Sequence, residues 1–227
     1  MKTLFKRALG AALLAGAVAA PHTAAAQVNG IATVDLAGAV TSSQALQNGY
    51  QQIATQYETQ RTTIQQRQQQ RQQLILTFDT NGNGQLDEAE APATQDPNNA
   101  TVQQIQAIDQ EVATLQRPIN LARVFVVQQV AQQYAASVQQ VMSERNIQLV
   151  LEPAAVAFGD ADVTSAVVEA LNARVPAVNI IPPADYQPSD AAVQLFQQVQ
   201  QLLTLAILQQ QQAAAQQTPA PAAESGR

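Results

Sequence analysis

The sequence predicts an α+β fold that is mostly helical: a small three-stranded sheet body, a long protruding α-helical hairpin and an extra C-terminal helix. Three observations support this prediction. Two long Gln-rich segments carry apolar residues at steps of three and four, the spacing of a coiled-coil helix. One Asn- and Gly-rich stretch separates the two segments. Short apolar runs typical of strands lie on either side of them, so the chain must leave the sheet, build the hairpin and return.

Residues 1–26 are predicted to be a secretory signal peptide. Basic residues Lys2, Lys6 and Arg7 precede an apolar run of 13 residues, and an Ala-x-Ala cleavage site stands before Gln27. This run is shorter than the ~20 residues that cross a bilayer, and no later window is expected to qualify. The mature chain is therefore expected to be exported, without an integral membrane segment.

The composition of the mature chain excludes several classes of protein. It keeps eight Arg, no Lys and seventeen acidic residues, a formal charge of −9, which argues against nucleic acid or an anionic membrane as partner. The chain has no Cys, and its single histidine, His22, leaves with the signal peptide. Zinc sites, Cys-His pairs, Ser-His-Asp triads and disulfides are thereby excluded. We expect no enzymatic activity and no organic cofactor.

The body is assigned to residues 27–40 and 147–175. Residues 28–35 are predicted to form the first strand, with Ile31 and Val34 near the buried side. Residues 147–152 are predicted to form the second strand and residues 156–158 the third. Asp162 is predicted to cap a following helix. The inner face of that helix would be Val163, Val167, Val168 and Leu171.

The hairpin is assigned to residues 41–146. At about 1.5 Å per residue the outgoing helix would extend roughly 57 Å, so the hairpin should project as an arm. We use "seam" for the apolar positions that recur along both segments. The outgoing seam is Leu46, Tyr50, Ile53, Tyr57, Ile64, Leu74 and Phe78. The returning seam is Val102, Ile105, Ile108, Val112, Leu115, Ile119, Val126, Val130, Val138 and Val141.

Some arm residues admit two interpretations. Pro118 is either a hinge that lets the arms splay or an incidental kink or break in the helix. Arg67 and Arg71 either face a client cavity, or point to solvent or pair with Asp109 or Glu111 across the hairpin. Three aromatic residues either contact clients or, as we favour, pack between the helices. These are Tyr50, Tyr57 and Tyr134.

The C-terminal part is divided into a Pro-rich linker and helix at residues 176–208 and a disordered Gln/Ala/Pro tail at residues 209–227. The helix is predicted to begin with Ser189 or Asp190 as its cap and to pack on the body. Its apolar face would be Val193, Phe196, Val199, Leu202, Leu203, Ala206 and Ile207.

The stretch between the two helices, residues 79–90, has the spacing of an EF-hand calcium loop. Such a loop needs oxygen ligands at positions 1, 3, 5, 7, 9 and 12 and glycine at position 6. The alternative interpretation is a simple Asn-Gly turn at an exposed tip. A single site with three carboxylates would bind Ca²⁺ weakly, with a Kd of ~10⁻⁴ to 10⁻³ M. The ligands would be Asp79, Asn81, Asn83, the backbone carbonyl of Gln85, Asp87 and Glu90, with Gly84 at position 6.

The chain resembles the Skp/OmpH family of periplasmic chaperones over roughly residues 28–173. The resemblance is carried by the signal peptide, by the opening strand Gly-Ile-Ala-Thr-Val-Asp at residues 30–35, by the hairpin and by a closing block. That block is Arg-Asn-Ile-Gln-Leu-Val-Leu-Glu-Pro-Ala-Ala-Val-Ala-Phe at residues 145–158, followed by Asp-Val-Thr at 162–164. The family implies a homotrimer in which three small sheets form one body and three arms hold unfolded outer-membrane proteins between them.

Two departures from the family pattern alter the expectation. The family's well-known members have basic, Lys-rich arms, whereas forty glutamines dominate this chain. Client capture is therefore expected to use apolar seam residues and amide hydrogen bonds, with weak salt dependence. The second departure is the inserted EF-hand-like loop at the tip.

The resemblance and the composition together predict an ATP-independent periplasmic holdase, a chaperone that binds unfolded outer-membrane or envelope proteins between helical arms. A small three-stranded body is marginal alone, so self-association is expected on physical grounds as well. The alternative is a calcium-binding structural or scaffold protein of the cell envelope, with the arms as permanent spacers.

Overall fold

A computed structural model describes residues 30–156 and 161–216 of the chain. The predicted class, α+β and mostly helical with a long hairpin, is confirmed. The signal peptide lies outside the described residues. The elements are β1 (Ile31–Thr33), α1 (Leu36–Ser42), α2 (Gln44–Gln56), α3 (Glu58–Leu76), α4 (Ala91–Gln95), α5 (Ala100–Gln132), α6 (Tyr134–Arg145), β2 (Leu149–Leu151), α7 (Thr164–Arg174) and α8 (Asp190–Gln216).

The sheet joins the two ends of the hairpin. Strands β1 and β2 are parallel, with Ile31 opposite Leu149 and Thr33 opposite Leu151. On the other side of β1, the Thr33 backbone N–H donates to the carbonyl of Ala161 at 2.9 Å and its carbonyl accepts from the Val163 N–H at 2.9 Å. Within the described residues the sheet thus has two strands and one further bridge, at Asp162.

The predicted third strand, residues 156–158, lies mostly outside the described part of the chain. The residues before it, Pro153–Ala155, form a short 3-10 turn. A proline at the first position of that turn fits its fixed φ. The N-cap residue of α7 is Val163, not Asp162 as predicted; Asp162 lies one residue earlier, and its Oδ1 accepts the Thr164 backbone N–H at 2.9 Å.

The prediction that Ile31 lies on the buried side of the first strand is wrong. Ala32 and Val34 are 2% exposed, whereas Ile31 is 41% exposed. Successive side chains of a strand point to opposite faces, so residues three apart, such as Ile31 and Val34, cannot share one. Val34 packs with the body core and Ile31 faces outward.

Two apolar cores hold the described residues together. The body core lies between β1, α1, α6 and α7; its buried members are Ala32, Val34, Ala39, Val141, Val163, Ala166, Val167 and Ala170. The root core lies where α2 and α5 leave the body. Its fully buried members include Val40, Leu46, Ile53, Val126, Val127, Val130, Leu171 and Val199.

The outgoing helix begins at Gln44, after a break that the seam pattern did not predict. Ser43 has an extended backbone, with ψ 139°, which ends α1. Its fully buried hydroxyl donates to the Val40 carbonyl at 2.8 Å and accepts the Leu46 N–H at 3.2 Å. One side chain therefore closes α1 and caps α2. The returning helix α5 runs through Pro118 without a break, so a helix break there is excluded; the hinge stays a prediction.

Helix α8 packs on α1 and α5, in line with the expected packing on the body. Ser189 caps it as predicted, since its Oγ accepts the Ala192 N–H at 3.2 Å. The helix continues to Gln216, so the prediction of disorder from Gln209 fails for its first eight residues. Glutamine and alanine are good helix formers, and extending an existing helix needs no new nucleation. The rest of the tail lies outside the described residues.

Among the described helices, α8 alone is long and apolar enough, over Asp190–Ala214, to cross a membrane. This contradicts the expectation that no window after the signal peptide would qualify. Length and composition are weak evidence for a span. The first half of α8 instead buries Ala192, Leu195 and Val199 against the root of the hairpin.

Two core tyrosines make stability sensitive to alkaline pH. Burial raises the pKa of Tyr50 to about 12, partly opposed by the charge of Arg123 and a hydrogen bond from Gln200. Burial, with the charges of Asp35 and Glu152, raises the pKa of Tyr134 to about 12. The unfolded chain loses these phenol protons near pH 10. The stability the two groups contribute is therefore complete below about pH 10 and is lost as pH rises toward 12.

We expect the urea concentration at the midpoint of unfolding to decrease as the pH rises from about 10 to about 12, and tyrosinate absorbance to show at least two groups that titrate near pH 12. The variant Tyr50→Phe should remove one late group. If every tyrosine titrates near pH 10 while the chain is still folded, the burial argument is wrong.

Candidate functional site

The arm buries most of its seam residues between its own two helices. Ile64, Val102 and Ile108 are each at most 8% exposed, and Leu74, Val112 and Leu115 are partly buried. Helix α3 packs against α5 along its length. The predicted seam is confirmed as the contact between the helices. The expectation that seam residues bind clients is therefore wrong, because these residues are used between the helices. The outer surface of the arm is mostly glutamine.

Two ion pairs cross the middle of the hairpin. Arg71 Nε lies 2.7 Å from Asp109 Oδ1 and donates a hydrogen bond to it. Arg67 Nε lies 2.8 Å from Glu111 Oε2, a charge contact without a well-aligned hydrogen bond. The interpretation of cross-hairpin pairing is confirmed. Both pairs are about half exposed, so each contributes less than about 1 kcal/mol and chiefly marks the register of the two helices.

The predicted packing of the three tyrosines is confirmed. Tyr50 and Tyr57 pack on the root core and Tyr134 on the body core. The Arg123 guanidinium lies 5.6 Å from the centre of the Tyr50 ring, and Gln200 of α8 donates to the Tyr50 hydroxyl at 3.2 Å.

Gly49 holds the linker against the root of the arm, a role that the sequence analysis missed. A Cβ on Gly49 would lie 2.9 Å from a Val178 methyl and 3.0 Å from a Val126 methyl. Any larger residue would push the linker off α2. A glycine inside a helix is unfavourable by about 1 kcal/mol, which was the available sign of a close approach.

The first half of the tip loop is folded by its candidate ligands. Asp79 accepts N–H bonds from Gly82 at 2.7 Å, Asn83 at 3.1 Å and Gly84 at 2.7 Å. Asn81 accepts from the Asn83 N–H at 2.9 Å, and Asn83 from the Gln85 N–H at 2.7 Å. Gly84 has φ +79°, a left-handed conformation that favours glycine at this sixth position.

The second half of the loop returns to meet the first. Asp87 accepts from the Asn81 side-chain amide at 2.7 Å and from the Ala89 N–H at 2.9 Å. Glu90 Oε1 accepts the Thr80 N–H at 2.6 Å and the Asn81 N–H at 3.2 Å, across the loop. All five candidate side chains are therefore linked in one network. Gln85 enters it through its backbone.

The carboxylates of the loop do not form a ready-made metal centre by themselves. Of the residues described, no three His, Cys, Asp or Glu side chains are gathered closely enough to hold an ion. The oxygens available are three carboxylates, two side-chain amides and one backbone carbonyl, a set that only the loop as a whole can supply.

The outer face of the sheet carries a second exposed feature. Ile31 and Leu149, paired across β1 and β2, are 41% and 48% exposed. They lie on adjacent strands, so their side chains form one apolar patch on the body. We call this the sheet patch.

These features define a class of protein: a helical hairpin arm raised on a small parallel sheet that its own two ends close. The family model for outer membrane protein (OmpH-like) matches residues 30–171, more than half of the chain. The chain therefore belongs to the OmpH-like family, as the residues had indicated.

A search of curated proteins finds no match. Among solved structures, one similar chain is a candidate outer membrane chaperone (OmpH-like) from Caulobacter crescentus CB15. It is 19% identical, with a TM-score of 0.37, over 83% of this chain and 99% of that one. A likeness of this size carries no argument beyond the family match.

Proposed function

We propose that the chain is a periplasmic, ATP-independent holdase that keeps unfolded outer-membrane or envelope proteins between its helical arms. The observation that carries this proposal is the closing of both hairpin ends into one sheet. The β1–β2 pair fixes the arm at its base, while α3 packs chiefly against the facing part of α5. Membership of the OmpH-like family supports the same function.

The arm surface suggests how a client would be held. Side-chain amides can donate and accept hydrogen bonds, so a glutamine surface can satisfy the exposed peptide groups of an unfolded chain. Each net hydrogen bond in water contributes only about 0.5–1.5 kcal/mol, so holding requires many weak contacts. Because few charges take part, client binding should depend little on salt.

A homotrimer is part of this proposal, and the sheet patch supports it. Two paired three-residue strands are too little to stand as an independent sheet. Joining copies through Ile31 and Leu149 would bury both side chains between the copies. Each fully buried Ile or Leu gains about 1.5–3 kcal/mol relative to exposure.

An aggregation assay tests the function. The mature chain is added at stoichiometric ratio to a denatured β-barrel protein on dilution from urea, without nucleotide. Suppressed light scattering, equally at low and high salt, is the expected result. A scaffold of the cell envelope, the alternative function, would leave aggregation unchanged.

Introducing charge into the sheet patch should dissociate the assembly. The double variant Ile31→Glu, Leu149→Glu places carboxylates where the copies would meet, and like charges there are costly to bury. The solution mass by light scattering should fall from an oligomer to one chain. The matched variant Gln139→Glu, which adds a charge on the exposed side of α6, should keep the wild-type mass. A wild-type chain that is already a monomer would contradict the trimer.

A further inference from the structure

The tip loop carries negative charge that the holdase function does not use. The sequence has no basic residue between Arg71 and Arg117, while residues 79–90 contain four carboxylates. Arg71 already pairs with Asp109. In the part of the chain that the structure describes, neither ion pair reaches a loop carboxylate. The charge of the loop is therefore not balanced by the protein.

Glu90 places part of this charge inside the loop. Its side chain is covered by the loop backbone, leaving the residue 6% exposed, although the tip as a whole stands in solvent. Its carboxylate is held by donors of the loop itself, the Thr80 and Asn81 N–H groups and the Thr80 hydroxyl, and neither ion pair of the described residues includes it. Acidic side chains that are covered are normally paired with a cation or bound to a metal.

The spacing and fold of the loop specify which cation fits. Oxygen atoms occupy positions 1, 3, 5, 7, 9 and 12, and the glycine at position 6 has the required left-handed backbone. The set contains no nitrogen or sulfur ligand, which selects a hard cation over zinc or copper. A flexible loop with a potentially bidentate Glu suits the six to eight ligands of Ca²⁺ better than the strict octahedron of Mg²⁺.

We propose that the tip loop binds one calcium ion per chain. The ligands are the side chains of Asp79, Asn81, Asn83, Asp87 and Glu90 and the backbone carbonyl of Gln85. This site goes beyond the holdase function and does not depend on it.

Binding requires one local rearrangement. Glu90 Oε1 now accepts the Thr80 and Asn81 N–H groups, and Oε2 lies 3.3 Å from the Asp87 N–H. To coordinate the ion with both oxygens, the Glu90 carboxylate must give up some of these hydrogen bonds. The exchange and the small number of carboxylates place the Kd at ~10⁻⁴ to 10⁻³ M. Bound calcium would tie the end of α3 to the turn before α4 and stiffen the tip.

Calorimetric titration of the full mature chain with CaCl₂ tests the site. We expect saturable binding of one ion per chain. The variant Glu90→Gln keeps an acceptor oxygen for Thr80 and Asn81 but loses the charge and the bidentate grip, and should weaken binding about tenfold or more. Asp79→Asn likewise keeps its turn-forming oxygen and should weaken binding.

The matched control is Glu88→Gln. It removes the same charge from the same loop at position 10, which is not a ligand position, and should change the Kd less than about threefold. Circular dichroism should show the same helix content in all the variants. Saturable binding lost only in the ligand variants supports the site. Absence of saturable binding up to about 10 mM calcium, or equal weakening by Glu88→Gln and Glu90→Gln, overturns it.

Discussion

Truncating Ile53 to alanine is expected to lower the free energy of unfolding by about 2–5 kcal/mol, the range for deleting a large aliphatic side chain from a packed core. Ile53 is 1% exposed and lies in the root core between α2 and α5. The linker, α7 and α8 also pack on this core, so the cavity would be bounded by several elements that cannot all collapse into it. Urea unfolding followed by circular dichroism measures the change.

The neighbouring variant Gln52→Ala serves as the control, because Gln52 is exposed on the same helix and its substitution should stay within about 0.5 kcal/mol. Equal effects of the two variants would mean that the root core does not hold the arm to the body. A loss of stability confined to Ile53→Ala would show that the root core holds the arm to the body.

Shortening the arm is expected to abolish client holding without unfolding the body. The pairs Arg67–Glu111 and Arg71–Asp109 show which residues face each other across the hairpin. Deleting residues 67–112 and closing the gap with a short Gly-Ser linker removes the distal arm. The two helices are then cut at positions that face each other across the hairpin. The root and body cores are nearly untouched, since of the root core only the partly buried Val112 is removed and Ile64 lies near the cut. The aggregation assay should show no protection.

A second deletion separates arm length from tip chemistry. Replacing only residues 77–99 with a Gly-Ser linker removes the tip loop and α4 but keeps the paired helices α3 and α5. This variant should still suppress aggregation while losing calcium binding. Full protection by the short-armed variant would contradict the holdase proposal and leave the calcium site unaffected. Both variants should keep the wild-type number of chains per oligomer.

The parts of the fold that could be predicted are those that depend on the spacing of residues close together in the sequence. The seam positions of α3 and α5 repeat every three or four residues, and burial of Ile64, Ile108 and Ile119 follows from that spacing alone. The candidate ligand positions of the tip loop could likewise be assigned, because the motif is contiguous in sequence. The start of α8 at its Ser189 cap was predictable for the same reason.

The errors arose where the conformation of a residue depends on tertiary packing. The Ser43 hydroxyl bonds Val40 and Leu46, which are near in sequence, but the break between the helices lies within a closed core. Ile31 and Val34 cannot share a face, and which of the two is buried depends on the face of β1 that meets α7. In the loop, the bonds from Glu90 back to Thr80 and Asn81 span nine or ten residues and depend on how the chain closes. No local pattern contains this information.

The pairing of Ile31 with Leu149 has a consequence for how the chain matures after export. Contacts between residues more than a hundred positions apart form slowly, since chain entropy must be lost before any interaction compensates for it. The N-terminal strand is synthesised long before its partner. The helices between them can form early through local contacts and so bring the distant partner within reach. Arm variants that delay helix formation should therefore prolong the time for which the N-terminal strand is open to proteases.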